Sequence, residues 1–414
     1  AGMMAENLTK SRKWGIYFDV LKEKTRIDSE DKFIQLSRLY ALLHDIGHFP
    51  LSHLFEYALR NWAGSTENYL RTIKEWTGFG NFEKPHEAFG ALIAEKIIED
   101  KNLKFSKPIR GALLRLTTEK DIPSTDPLSV VKSIVDSEID ADRIDFVQRD
   151  GLLAGGEYGH YDIRRLCDSV FIEQDESGWL IAYSEKALTS MEALLLDRYR
   201  TYLWIHFHHQ VISTNILVRF LIKKALELKI ITKEHFNPEN VKEFSLKDDV
   251  WLWNILRNME VDDKFTEMIQ EAVFYREKKN ILNLWKTRPY YHVLQRRVTK
   301  EAPGIVPLIF AKTDSYQGYL SGQMEAQALI FILEFEPLSD RPTNLYSEAR
   351  KRLTGKSLFG VSKLVADLEE IWGEEPQYFV LLVDNDARKR RREFREKWVR
   401  LTKDWRDWIL SPPS

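Results

Sequence analysis

Four side chains able to bind a metal or move a proton fall within ten residues in the stretch RLYALLHDIGHFPLSH, Arg38 to His53: His44, Asp45, His48 and His53. Neutral imidazole plus carboxylate is a ligand set suited to Mn, Fe, Zn or Mg rather than to a soft metal. His44 and Asp45 are adjacent, so on a helix they point about 100° apart, and both still reach one ion lodged between that helix and its neighbours. His48 follows one turn after His44, while Gly47 and Pro50 shape the helix end so that the backbone turns and presents His53. A single histidine on an apolar helix is ordinarily a packed or capping residue, so the weight rests on the joint pattern.

The elements that must position these groups are mostly helical. Ile34, Leu36, Leu39, Tyr40, Leu42 and Leu43 recur at mostly helical spacing after the cap-like DSED of Asp28 to Asp31. A second helix is expected from His86 to Ile98, just after Pro85, and a third from Pro127 onward, broken near Ser137. SVFIEQDESGWLIAYS reads as a hairpin turning at Asp175 to Gly178. From Lys186 to about Lys229 one long helical pattern puts Tyr199, Tyr202, His206 and His209 on one face. Charged helical segments then run to about Arg297, followed by the strand-like runs IVPLIFAK, ALIFILEFE and YFVLLVDND. The expected architecture is mainly α, with a helical core at 1–229, a helical extension at 230–300 and a smaller α+β domain at 301–414. The opening AGMMAENLTKSRKWG lacks an initiator Met and already has the pattern of a helix interior, so further sequence is expected before Ala1.

Composition narrows the function classes. With 43% hydrophobic residues among 414, the chain can bury a large core. A formal net charge of -2, from 61 basic and 63 acidic residues, provides no overall field for nucleic acid or an anionic membrane. Cys167 is the only cysteine, which excludes an intrachain disulfide and a thiolate zinc cluster. No apolar run approaches membrane-spanning length and no secretory signal is visible, so a cytoplasmic location is expected.

HDIGH resembles the signature of the HD-domain metal-dependent phosphohydrolases, whose ligands are a first His, an adjacent His-Asp pair and a distant Asp. EIDADRIDFVQRDGLLAGGEYGHYDIRRL, Glu138 to Leu166, resembles the corresponding stretch of the deoxynucleoside triphosphate triphosphohydrolases (dGTPase-like), and Asp142 matches the distal ligand. HDIGHFPLSH, PHEAF and RYRTYLWIHFHH are similar to further segments of that family, over roughly Ala1 to Arg297. The resemblance implies an HD-domain helical core, a divalent metal held by His44, Asp45 and Asp142, and a first His lying before Ala1 in an Arg-Phe-x-His context. It implies hydrolysis of a dNTP at the α-phosphorus, releasing triphosphate whole. By the same resemblance His48, His53 and His86 are the candidate acid and phosphate contacts, with Glu87 able to orient an imidazole. Arg143 reaches toward the triphosphate, an ordinary ion pair with Asp140 being the bland reading; Asp150 binds the sugar 3′ hydroxyl; Tyr202 and His206 face the substrate. Phe146 and His206 stand where the family commonly has Tyr, which bears on substrate preference. Oligomers and nucleotide effectors bound between subunits are also implied.

LTGKS, Leu353 to Ser357, has Arg350 where a phosphate-binding loop needs Gly, and AGGEYG, Ala154 to Gly159, reads as a loop beside the site. ARKRRREFREKWVR, Ala387 to Arg400, reads as a helix with one buried aromatic face; the sharper reading is a surface for an effector nucleotide or a nucleic acid strand, which is not favoured. Two alternatives to the dNTP reaction stay open: a nuclease or phosphodiesterase acting on oligonucleotides, and a degenerate HD domain acting as a regulatory scaffold.

Overall fold

A computed structural model describes residues 1–80, 82–100, 102–156, 158–236, 241–283, 321, 326–333, 343–347, 349–350, 352–372 and 377–397. The architecture is mainly helical. The N-terminal helices are α1 (Gly2–Leu8), α2 (Trp14–Thr25), α3 (Glu30–Leu43), α4 (His53–Ala63), α5 (Thr66–Thr77), α6 (Pro85–Glu99), α7 (Lys107–Thr118), α8 (Leu128–Val135), α9 (Ala141–Leu153) and α10 (Ile163–Cys167). A hairpin, β1 (Val170–Asp175) with β2 (Gly178–Ser184), follows, then α11 (Leu188–Thr201), α12 (His209–Glu227), α13 (Val241–Phe244), α14 (Asp249–Asn258) and α15 (Lys264–Phe274). The C-terminal part adds β3 (Ile281–Asn283), β4 (Gln327–Leu333), β5 (Asn344–Ser347), β6 (Arg352–Ser357), α16 (Leu358–Val361), α17 (Lys363–Trp372) and β7 (Gln377–Val383).

Local chemistry accounts for the site-bearing helices. Ser29 caps α3, its Oγ accepting from the Lys32 amide at 3.3 Å, with Glu30 and Asp31 in the first turn where the helix dipole favours acids. Pro85 opens α6, where its missing N–H costs nothing. Asp140 caps α9, accepting from the Arg143 amide at 2.7 Å, and the gap between α8 and α9 is the break expected near Ser137.

Two buried clusters hold these elements. One gathers α1, α2, α3, α7, α8 and the hairpin around Tyr17, Phe33, Leu36 and Val131. The other gathers α4, α5, α12, α14 and α15 around Phe49, Phe55, Leu221 and Phe236. α6 feeds both, with Ala94 and Ile98 in the first and Ala88 and Phe89 in the second. The chain passes from Leu43 in the first cluster to Phe49 in the second through the HDIGH turn, so that turn lies at the seam.

The hairpin extends into a four-stranded sheet of order β1-β2-β5-β6, antiparallel except that β2 runs parallel to β5, with Ala182 opposite Asn344. β3, β7 and β4 form a three-stranded antiparallel sheet. ALIFILEFE and YFVLLVDND thus supply β4 and β7; IVPLIFAK lies outside the described residues. LTGKS is part of β6, a strand rather than a loop. Among the described residues no helix is long and apolar enough to cross a membrane.

One element departs from the expectation. The helix from Lys186 to Lys229 is not continuous: a π-helical turn, Tyr202–His206, interrupts it, closed by Phe207 N donating to Tyr202 O at 2.8 Å, and α12 starts afresh at His209. A helix-period pattern cannot show one extra residue in a turn, and such π-turns favour functional positions. In the basic run, Phe394 is fully buried and Lys389, Arg390, Arg392 and Lys397 pair with acids of their own segment, in line with the bland reading; Trp398 and Arg400 lie outside the described residues.

Candidate metal centre and substrate cavity

His44 is the C-cap of α3, Asp45 and His48 lie in the turn after it, and His53 opens α4. The turn is pressed against α6 at a glycine. A Cβ on Gly47 would lie 2.1 Å from the Gly90 nitrogen and 2.2 Å from the His86 carbonyl oxygen, so only Gly lets the two backbones approach this closely. Leu51 and Ser52 take left-handed conformations, φ 58° and 52°, to swing the chain into α4.

His44, Asp45 and Asp142 each offer one ligand atom within 4.8 Å of the others. His44 Nδ1 donates to the Ala41 carbonyl at 2.9 Å, leaving Nε2 to face Asp45 Oδ2 at 3.2 Å and Asp142 Oδ1 at 4.0 Å. A ring anchored through one nitrogen and presenting the other is how ligating histidines are ordinarily held. Burial works against a charged His44, yet the carboxylates of Asp45 and Asp142 outweigh it and raise its pKa. Burial and the Asp45 charge raise Asp142. Burial also opposes ionisation of Asp45, but the His44 hydrogen bond prevails and its pKa is lowered. Two carboxylates and an open imidazole nitrogen, converging in a half-buried recess, fit a divalent cation.

A second cluster adjoins the first. His48, His53, Glu56 and His86 also bring ligand-type atoms within 4.8 Å of one another. Glu56, with a side chain 9% exposed, accepts from the His86 amide (3.0 Å) and His86 Nδ1 (2.7 Å) on one oxygen, and from His53 Nδ1 (3.0 Å) on the other. Burial opposes its ionisation, but the hydrogen bonds and charges of the His53 and His86 imidazoles hold it down at about 2. The His48 ring stacks on His86 at 4.3 Å, and Asp45 Oδ1 lies 3.7 Å from His48 Nε2, joining the clusters. Burial, with the His86 charge beside it, lowers His48 to about 4.

All of the expected site residues line one cavity of about 840 Å³. His44, Asp45, Asp142, His48, His53, His86 and Glu87 meet there with Arg143 and Asp150, brought by α9, and Tyr202 and His206, brought by the π-turn. Asp150 Oδ2 is 3.6 Å from His206 Nε2, and the Tyr202 and His206 rings lie 4.9 Å apart. Arg143 donates to the Ser137 carbonyl and sits 3.6 Å from Asp140, so the bland ion pair forms even though the residue faces the cavity.

One expectation needs correction. Glu87 is not the carboxylate that orients an imidazole: it faces Lys84 at 3.4 Å, and Glu56 does that work for both His53 and His86. Glu56 escaped notice because its only trace is its position three residues after His53, an ordinary helical spacing. Arg198 was also missed; it lines the cavity one turn before Tyr202, with its side chain 8% exposed.

Six Lys or Arg and eight Asp or Glu line the cavity. The wall is therefore not a simple anion receptor, and a bound cation would offset its surplus of carboxylates.

Comparisons with known proteins agree with this geometry. Residues 3–150 match the family model of the HD domain, and His44, Asp45, His86 and Asp142 all fall inside the match. Residues 3–150 are thus similar to an HD domain. It is 24% identical to the uncharacterized protein YwfO of Bacillus subtilis, over 84% of this chain and 78% of that protein. It is 27% identical to the uncharacterized protein MJ1154 of Methanocaldococcus jannaschii, over 59% of this chain and 43% of that one. In fold it is similar to a hypothetical protein from Aquifex aeolicus (TM-score 0.54, 21% identity, covering 93% of this chain and 85% of the other). It is likewise similar to a phosphohydrolase from Bacteroides thetaiotaomicron (TM-score 0.52, 15% identity, 89% and 84%).

Proposed function

We propose that this chain is a metal-dependent hydrolase of deoxynucleoside triphosphates, cleaving at the α-phosphorus to give a deoxynucleoside and inorganic triphosphate. The observation that carries the reading is the convergence of His44, Asp45 and Asp142 on one wall of a cavity that also holds four further histidines and three arginines. The HD match and the likeness to a phosphohydrolase support a hydrolase; the resemblance of the Glu138 to Leu166 stretch narrows it to dNTPs.

His44, Asp45 and Asp142 would hold the divalent ion, which is Mn, Mg, Fe or Zn. Such an ion lowers the pKa of bound water and polarises a phosphoryl oxygen. The rest falls to the chain's own groups. Arg143 and Arg198 present planar, permanently charged guanidiniums to phosphate oxygens. His86 delivers a proton to the leaving 5′ oxygen, because ionised Glu56 accepts from its Nδ1–H and so fixes the ring with Nε2 toward the cavity. His48, lowered to about 4, is neutral near pH 7 and serves as a hydrogen-bonding group rather than the acid. His53 is the more exposed imidazole and contacts phosphate. Asp150 takes the sugar 3′ hydroxyl, with Tyr202 and His206 beside it.

Incubating the protein with each dNTP and Mn or Mg, then separating inorganic triphosphate from phosphate and pyrophosphate, tests the reaction. A homo-oligomer and a nucleotide effector, proposed on the same resemblance, are read by light scattering with and without added dNTP. Cleavage of an oligonucleotide with no triphosphate from any dNTP would replace this reading with a phosphodiesterase.

A further inference from the structure

Behind the cavity wall lies a carboxylate with no direct access to a ligand. Glu138, only 1% exposed, divides its two oxygens between two guanidiniums. Oε1 accepts from Arg198 Nη1 at 3.3 Å, and Oε2 lies 3.9 Å from Arg143 Nη1. The arginines come from different helices, α9 and α11, and both line the cavity, whereas Glu138 does not. Arg198 Nε is buried and, among the described residues, has no hydrogen-bond partner. A buried guanidinium N–H without a partner is costly, so the Arg198 fork is held in place by its Glu138 contact while the residue still lines the cavity.

We propose that Glu138 is a positioning residue that aligns Arg143 and Arg198 as one two-pronged clamp for a phosphate chain. It rests on the reading that the substrate carries a triphosphate. One carboxylate shared by two planar forks restricts the rotation of both, so the pair meets an anion with its geometry already set. The two arginines then act as a unit rather than as separate charges. Glutamine at 138 keeps the size but leaves one acceptor oxygen, and its NH₂ group opposes the second guanidinium.

The test is calorimetric titration of the full chain with inorganic triphosphate in the presence of Mn, together with a thermal melt and a Mn titration of each variant. Glu138→Gln should weaken triphosphate binding about tenfold, the scale of one misaligned charge-assisted contact, while Mn affinity stays at the wild-type value. Arg198→Lys should cost about as much, and the double variant no more than either single one, because both changes break the same clamp. A Glu138→Gln protein that is folded and binds triphosphate like wild type overturns the proposal, as do additive losses in the double variant. Absence of triphosphate binding by the wild-type chain also overturns it. If Glu138→Gln does not fold, Arg143→Lys and Arg198→Lys decide the matter: a clamp gives non-additive losses, independent contacts give additive ones. Hydrolysis is not read in this experiment, so failure to cleave dNTPs would remove the proposed reaction without touching the clamp.

Discussion

Gly47→Ala and Gly90→Ala form a matched pair that tests how the HDIGH turn is held. A methyl at Gly47 would sit 2.1 Å from the Gly90 nitrogen, 2.2 Å from the His86 carbonyl oxygen and 2.6 Å from the Gly90 Cα. All three are backbone atoms, so no rotamer change relieves the clash. Restoring ordinary contact at about 3.4 Å means moving the start of α6 by more than about 1 Å, and overpacking of this kind typically costs about 1–3 kcal/mol. The displacement falls on His86, whose 2.7 Å bond to Glu56 would stretch past hydrogen-bonding range. Losing a bond to a charged acceptor adds about 1.5–3 kcal/mol. A methyl at Gly90 also faces the turn, but it meets nothing closer than the Gly47 nitrogen and the His44 carbonyl oxygen at 3.6 Å, an ordinary contact, and gains helix propensity of up to about 1 kcal/mol. Urea unfolding followed by circular dichroism should therefore show Gly47→Ala destabilised by about 2.5–6 kcal/mol and Gly90→Ala neutral or slightly stabilised. Equal midpoints for the two variants would refute the close approach and the explanation of Gly47.

Other consequences follow from the same contacts. Asp142→Asn should lower Mn affinity more than tenfold by calorimetry while leaving the fold intact, since the residue is half-exposed and its carboxylate serves the ion. Glu56, held at about 2 against an ordinary value of 4.5, contributes stability that is complete above about pH 4.5 and lost as pH falls toward 2. Glu56→Gln should remove that part of the acid dependence in pH-resolved melts and should also lower the rate by disordering His86. Ser29→Ala removes the α3 cap and should cost about 0.5–2 kcal/mol in denaturant unfolding, with no change in Mn stoichiometry because Ser29 is a full helix away from the ligands.

What could be read before folding depended on the range of each signal. α3, α6, the α8–α9 break and the β1–β2 hairpin were legible because caps, prolines and periodicity are local. His44, Asp45 and Asp142 were legible as a pattern, and the cavity brings them together with every other expected site residue. Glu56 and Arg198 were not, because each is a common residue at a common helical spacing whose meaning comes from a partner 30 or 60 residues away. Gly47 looked like a turn glycine, whereas its constraint comes from α6. The π-turn escaped because Tyr202 to His206 keeps an apolar and aromatic texture that suits an unbroken helix equally well.

The central claim is tested most directly by the product formed from a dNTP. With Mn or Mg present, the wild-type chain should release inorganic triphosphate and deoxynucleoside in equal amounts, and Asp45→Asn should release neither. Triphosphate production that survives Asp45→Asn, or a wild-type product mixture of pyrophosphate or phosphate without triphosphate, would contradict the account.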